Sequence, residues 1–211
     1  AASTTVAGWT GVTGALTGNT IVPTGGIVTM NAGTLRAAAL AVSVSTQPPA
    51  QVVVAGAQGL VMAQLVLDGT NSGEDIGVTT IPMTTTLGTA GTGTNLTNCI
   101  LWDGATALTT GANVLSPVAA AGTNTFTLDN RLTLALGTAK TLSVSCNLAG
   151  NTTAGQLYQV GMTVANIAAI GATAMTSGVA VVPTGAVALG NIMTASAGGT
   201  LAETLDTFSP I

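Results

Sequence analysis

The chain has 211 residues, of which Thr, Ala and Gly supply 102. Charged residues make up 5%, aromatics 2%, and His is absent, against about 25% charged residues in an ordinary soluble domain. Three basic residues, Arg36, Arg131 and Lys140, cannot neutralise a row of phosphates, which excludes nucleic-acid binding, and without His the usual general base and commonest zinc ligand are missing.

Disorder is excluded next, because disordered chains combine low hydrophobicity with high net charge. Here the mean hydropathy is +0.63 and the formal net charge −4. No apolar run reaches about 18 residues without Thr, Ser or Gly, so no transmembrane segment is expected. A collapsed chain with so little charge exposes a surface unlike that of a free monomer. Burial against copies of itself, a homopolymer, is the expectation that follows.

The first residues, Ala1-Ala2-Ser3, resemble a mature end left after small-residue cleavage, so an extracellular or cell-surface location is expected. Residues 1–48 read as an N-terminal extension and candidate donor strand. Apart from Trp9 they carry small side chains, and they contain Ile21-Val22-Pro23-Thr24-Gly25 and the alternating Leu40, Val42 and Val44 before Gln47-Pro48-Pro49. These eight residues, Ile21 to Gly25 with Leu40, Val42 and Val44, are the candidate assembly contacts.

Residues 49–170 read as a β-sandwich, because period-2 alternation recurs between turn clusters. Leu142, Val144, Cys146 and Leu148 alternate with Thr141, Ser143, Ser145 and Asn147. Tyr158, Val160, Met162 and Val164 alternate with Gln159, Gly161, Thr163 and Ala165, and Leu132, Leu134 and Leu136 with Thr133 and Ala135. Further strands are expected over 51–54, 60–67, 76–83, 96–102 and 179–182. The predicted fold is all-β, an antiparallel β-sandwich (Ig-like or jelly-roll-like) with extended N- and C-terminal segments. Its expected core is Val52, Val54, Leu65, Leu67, Ile76, Val78, Ile100, Trp102, Phe126, Leu128, Leu132, Leu134, Leu142, Val144, Val160 and Met162.

Two cysteines, Cys99 and Cys146, are too few for a structural zinc site, and an even count in an exported chain favours one disulfide, nominally 3–4 kcal/mol by loop closure (~). Cys146 lies on the apolar face of its strand, whereas Cys99 is out of phase with Leu96, Ile100 and Trp102. A bulge or twist must therefore bring the two together. Asn95-Leu96-Thr97 and Asn151-Thr152-Thr153 are glycosylation sequons, making Asn95 and Asn151 candidate acceptors.

Residues 171–211 read as a C-terminal strand and tail in assembly contacts. Ile21-Val22-Pro23-Thr24-Gly25-Gly26 recurs there as Val181-Val182-Pro183-Thr184-Gly185-Ala186. The echo suggests the start of another repeat whose body a neighbouring subunit could supply.

From Ala50 onward Gln51-Val52-Val53-Val54-Ala55-Gly56, Gly73-Glu74-Asp75-Ile76, Leu101-Trp102-Asp103-Gly104 and Gly137-Thr138-Ala139-Lys140-Thr141-Leu142-Ser143-Val144 follow in order. This series, over about residues 35–165, resembles the β-sandwich repeat of large, Thr-rich surface and filament proteins of candidate-phylum bacteria. The resemblance implies a structural role and no catalytic residues.

Other constellations are weak. Asp68, Asn71, Glu74 and Asp75 gather oxygens but lack calcium-loop spacing. Lys140 beside Ser143 and Ser145 reads better as a strand-edge charge than as a nucleophile pair. Asp103 and Asp129 lack a proton-donor setting, and Trp9 and Trp102 read as packing anchors rather than a carbohydrate platform. No metal ligands, cofactor or catalytic residues are expected. The functional expectation is a structural subunit of an extracellular filament or surface array, polymerising head-to-tail by β-strand addition, with a viral capsid or tail protein and a monomeric carbohydrate- or surface-binding module as alternatives.

Overall fold

The computed structural model describes residues 3–4, 15–20, 28–29, 36–88, 91–118 and 122–198. The chain divides into two compact units, Ala1–Leu35 and Arg36–Ile211. In the first, β1 (Ser3–Thr4) pairs antiparallel with β2 (Val28–Thr29). Of the candidate assembly contacts, Ile21, Val22, Pro23, Thr24 and Gly25 lie outside the described residues.

The second unit is an all-β sandwich of two sheets. The five-stranded sheet runs in the order β3 (Ala41–Val44), β5 (Leu60–Asp68), β10 (Ala139–Leu148), β7 (Leu96–Asp103), β8 (Thr106–Ala107), with every pairing antiparallel. The larger sheet runs β13 (Ala180–Val181), β12 (Gly171–Ala174), β6 (Ile76–Leu87), β11 (Leu157–Met162), β15 (Met193–Ser196), β4 (Gln51–Val54). In addition β9 (Gly122–Leu134) pairs with β6, and β14 (Ala188–Leu189) with β11. Only the β15–β4 pairing is parallel among these ladders. Leu65, Leu67, Leu142 and Val144 of one sheet and Ile76, Ile81, Phe126, Leu134 and Val160 of the other belong to one buried core. Alternation puts these residues on a common face, and a register shift between Val78 and Thr80 lets Ile81 share the face of Ile76 on β6.

Strand β6 organises the larger sheet. One of its edges pairs with β9 from Ile76 to Thr85. Its other edge is shared: β12 takes Ile76 to Thr80 and β11 takes Thr84 to Leu87. Between them the chain leaves the sheet as helix α1 (Val164–Ala168). Residues 81–83 therefore have no ladder partner on that edge among the described residues, and Pro82, which has no N–H to donate, falls in this gap. Alternation predicts strand as far as Ala165, but the strand ends at Met162. Thr163 and Asn166 form a capping box that starts a helix instead, and Val164 is 56% exposed on it.

The expected core is found at Leu65, Leu67, Ile76, Val78, Phe126, Leu128, Leu132, Leu134, Leu142, Val144, Val160 and Met162, and corrected elsewhere. On β4, Val53 is buried, while Val52 and Val54 are 69% and 51% exposed. Three successive valines carry no alternation, so the pattern could not say which faced inward. On β7, Cys99 and Leu101 are buried and Ile100 and Trp102 only half-buried. Leu136 lies beyond the end of β9 and is exposed.

The domain boundaries are corrected as well. The compact second unit begins at Arg36, and β3 and β12 to β15 are strands of its two sheets, so neither 36–48 nor 171–196 is an extension. Small side chains suit these places: Ala172, Ala174 and Ala195 are buried where an added strand gains main-chain hydrogen bonds as well as apolar contact.

Candidate functional site

Among the described residues no group of three or more His, Cys, Asp or Glu side chains converges on a metal-sized centre. The acidic residues of the 68–75 loop spend their oxygens on separate turns. Asp68 accepts from the amide and hydroxyl of Thr70. Asp75 accepts from the Leu136 amide at 2.7 Å. Glu74 accepts from the amides of Thr176 and Ser177, both at 2.8 Å, and from the Ser177 hydroxyl at 2.7 Å. The Thr70 hydroxyl holds Asp68, and the Ser177 hydroxyl holds Glu74, below the ordinary carboxylate range, because each hydrogen bond favours the charged form. Asp129 is lowered likewise, chiefly by the Asn113 amide and then by Thr110, and so ties the 110–113 loop to β9. These carboxylates anchor loops.

Lys140 forms an ion pair with Asp103. It sits on β10, at the centre of the five-stranded sheet, so the strand-edge reading of Lys140 is corrected. Trp102 donates its indole N–H to the Ser145 hydroxyl at 2.7 Å across that same sheet. Cys99 and Cys146 form a disulfide between β7 and β10. Asn95 is half-buried, and its side-chain nitrogen donates to Gln156 and to the Tyr158 hydroxyl. A glycan on that nitrogen would displace these bonds. Asn151, by contrast, stands exposed in a turn.

Leu40, Val42 and Val44, expected at an assembly contact, lie within this chain's own sandwich. Leu40 and Val42 are buried, and β3 pairs with β5 from Ala41 to Val44. The outer edge of β3 is also occupied: the Val42 amide donates to Thr184 O at 2.8 Å, and the Thr184 amide to Leu40 O at 2.9 Å. Gly185 makes this close approach feasible, since a Cβ there would stand 2.2 Å from Val42 O. The Val-Pro-Thr-Gly segment at 182–185 is thus a strap along β3.

Among the described residues, β4 and the outer side of β9 are edges with no further ladder partner. Strand β4 is the last of its sheet, with β15 on one side. Next to it a shallow depression is lined by Ala50, Gln51, Val52, Leu157, Ile192 and Thr194. Natural edges are usually blunted by Lys, Pro or a bulge, and Gln51-Val52-Val53-Val54 contains no charge and no Pro. The sequence reading missed this site because it assigned Val52 and Val54 to the core. Among the described residues no helix is long and apolar enough to cross a membrane. No protein-family model matches the chain, and no curated protein matches it in sequence.

Proposed function

We propose that the protein is a structural subunit of an extracellular filament or surface array whose copies join head to tail by β-strand addition. The observation that carries this reading is the β4 edge: the strand carries exposed Val52 and Val54, neither charge nor Pro, and among the described residues no ladder partner on its outer side. An added strand would gain main-chain hydrogen bonds there, and the two valines would supply apolar sockets at alternate positions. A contact between two different surfaces of the same molecule repeats without closing, which yields fibres. The 5% charge content agrees with a surface that is covered in the working state, and the disulfide suits an oxidising, extracellular setting.

Negative-stain microscopy and sizing of the purified protein test the proposal. Fibres or higher oligomers are expected, and Val52→Lys should abolish them while leaving the melting temperature unchanged. A wild-type protein that stays a 20.3 kDa monomer at high concentration would overturn it.

A further inference from the structure

Residues 1–35 repeat in sequence the segment that closes the sandwich, and their described parts, 3–4, 15–20 and 28–29, repeat it in local structure. Thr5-Val6-Ala7 matches Thr163-Val164-Ala165, and Ile21-Val22-Pro23-Thr24-Gly25 matches Val181-Val182-Pro183-Thr184-Gly185, with two residues fewer in between. The structure carries the match further. Ala15, Leu16 and Thr17 form a turn followed by Gly18 at φ 68°, and Met175, Thr176 and Ser177 form a turn followed by Gly178 at φ 71°. The Asn19 amide donates to the Thr17 hydroxyl, and the Val179 amide to the Ser177 hydroxyl, each at 3.5 Å. β1 pairs antiparallel with β2 through Ser3 to Thr29 and Thr4 to Val28, as β11 pairs with β14 through Gly161 to Leu189 and Met162 to Ala188. Turn, hydroxyl bond and strand pairing thus recur at an offset of 158 to 160 residues, which composition bias does not produce.

The closing segment at 159–196 is held by groups outside itself. Glu74 binds the turn at Thr176 and Ser177, β3 binds the strap at Thr184, and β6 pairs with β11 and β12. Among the described residues there is one set of these groups, and 159–196 occupies it. A two-stranded pair of β1 and β2 is marginal by itself. We infer that residues 1–35 are the closing segment of a second copy of this sandwich, and that their partner is another body equivalent to residues 36–158. The chain then reads as closing segment, body, closing segment, with a structural period of about 160 residues. In that second copy a carboxylate equivalent to Glu74 meets the amides of Leu16 and Thr17, and Gly25 passes against the carbonyl equivalent to that of Val42. The inference stands on the duplication and holds whether or not the protein forms filaments.

The test is the full 211-residue chain carrying an extra copy of residues 36–158 ahead of Ala1. Hydrogen exchange should show amide protection over residues 15–29 rising at least tenfold relative to the unextended chain, and the added copy should form its own disulfide. Gly25→Ala should reverse that gain in the extended chain and change nothing in the unextended one. Unchanged exchange over 15–29, an added body that stays unfolded beside a folded native one, or a Gly25→Ala that is silent in both chains would each overturn the inference. Failure of the filament proposal is a separate result: an extended chain that sizes as a monomer while residues 15–29 are protected.

Discussion

Cys99 stands opposite Cys146 because Asn98 adds a residue to β7. The ladder steps from Ile100–Ser145 to Thr97–Asn147, so Asn98 and Cys99 together face Cys146, and the two Cα atoms lie 4.1 Å apart. Asn98 has φ 49°, a left-handed conformation that Asn tolerates better than most residues. The bulge turns Cys99 and Leu101 to the inside in place of Ile100 and Trp102.

Replacing Asn98 should therefore act through the backbone. Asn98→Gly should be neutral within about 0.5 kcal/mol, whereas Asn98→Val, with a branched Cβ at positive φ, should cost about 1–3 kcal/mol. Thermal unfolding under oxidising conditions measures both. Reducing the disulfide, which closes a separation of 47 residues, should lower stability by about 3–4 kcal/mol in the chain-entropy account.

Leu142 and Val52 separate core from edge. Leu142 is fully buried on β10, so Leu142→Ala should cost about 2–5 kcal/mol in denaturant unfolding. Val52→Ala, at an exposed site, should change stability by less than about 0.5 kcal/mol. Its effect should appear in assembly, as shorter or fewer fibres by microscopy.

Asn166 knots α1 to the two long strands. Its side-chain oxygen accepts from the Thr163 amide and hydroxyl and from the Thr84 hydroxyl, while its nitrogen donates to Thr123 at 3.0 Å. Thr84 and Thr123 are a cross-strand pair of β6 and β9. Asn166→Ala should cost about 1–3 kcal/mol, because it removes the side-chain half of the capping box and the bonds to Thr84 and Thr123, while the Thr163 hydroxyl still accepts from the residue-166 amide. Thr123→Ala, at an exposed position where water substitutes, should stay within about 0.5 kcal/mol.

Acid should loosen the loops before the sheets. Asp68, Glu74 and Asp129 have folded pKa values below their ordinary ones, so their stabilisation is fully present above the ordinary carboxylate range and is lost as pH falls through the lowered values. The melting temperature should be flat from neutral pH down to about pH 5 and decline below about pH 4. Glu74→Ala should make that decline shallower, and hydrogen exchange over residues 174–179 should rise first.

Period-2 alternation by itself determined the strands around Leu132, Leu142 and Val160, because side chains of a strand take opposite faces in turn and a half-buried sheet writes that rule into the sequence. It likewise determined the scarcity of helix, since Thr and Gly interrupt nearly every window. Wherever alternation was silent or broken, the tertiary structure decided. Three equal valines at 52–54 leave both faces open until packing against the core buries Val53. The phase of β7 changes at Asn98, and no neighbour in sequence announces it. The Thr163–Asn166 cap ends an alternating strand early because Asn166 finds Thr84 and Thr123, which lie 82 and 43 residues away. The seat of the closing segment on Glu74 and β3 was equally hidden, although its echo at 21–25 was legible, because contacts between distant residues depend on the packing of both sheets and leave no local periodicity.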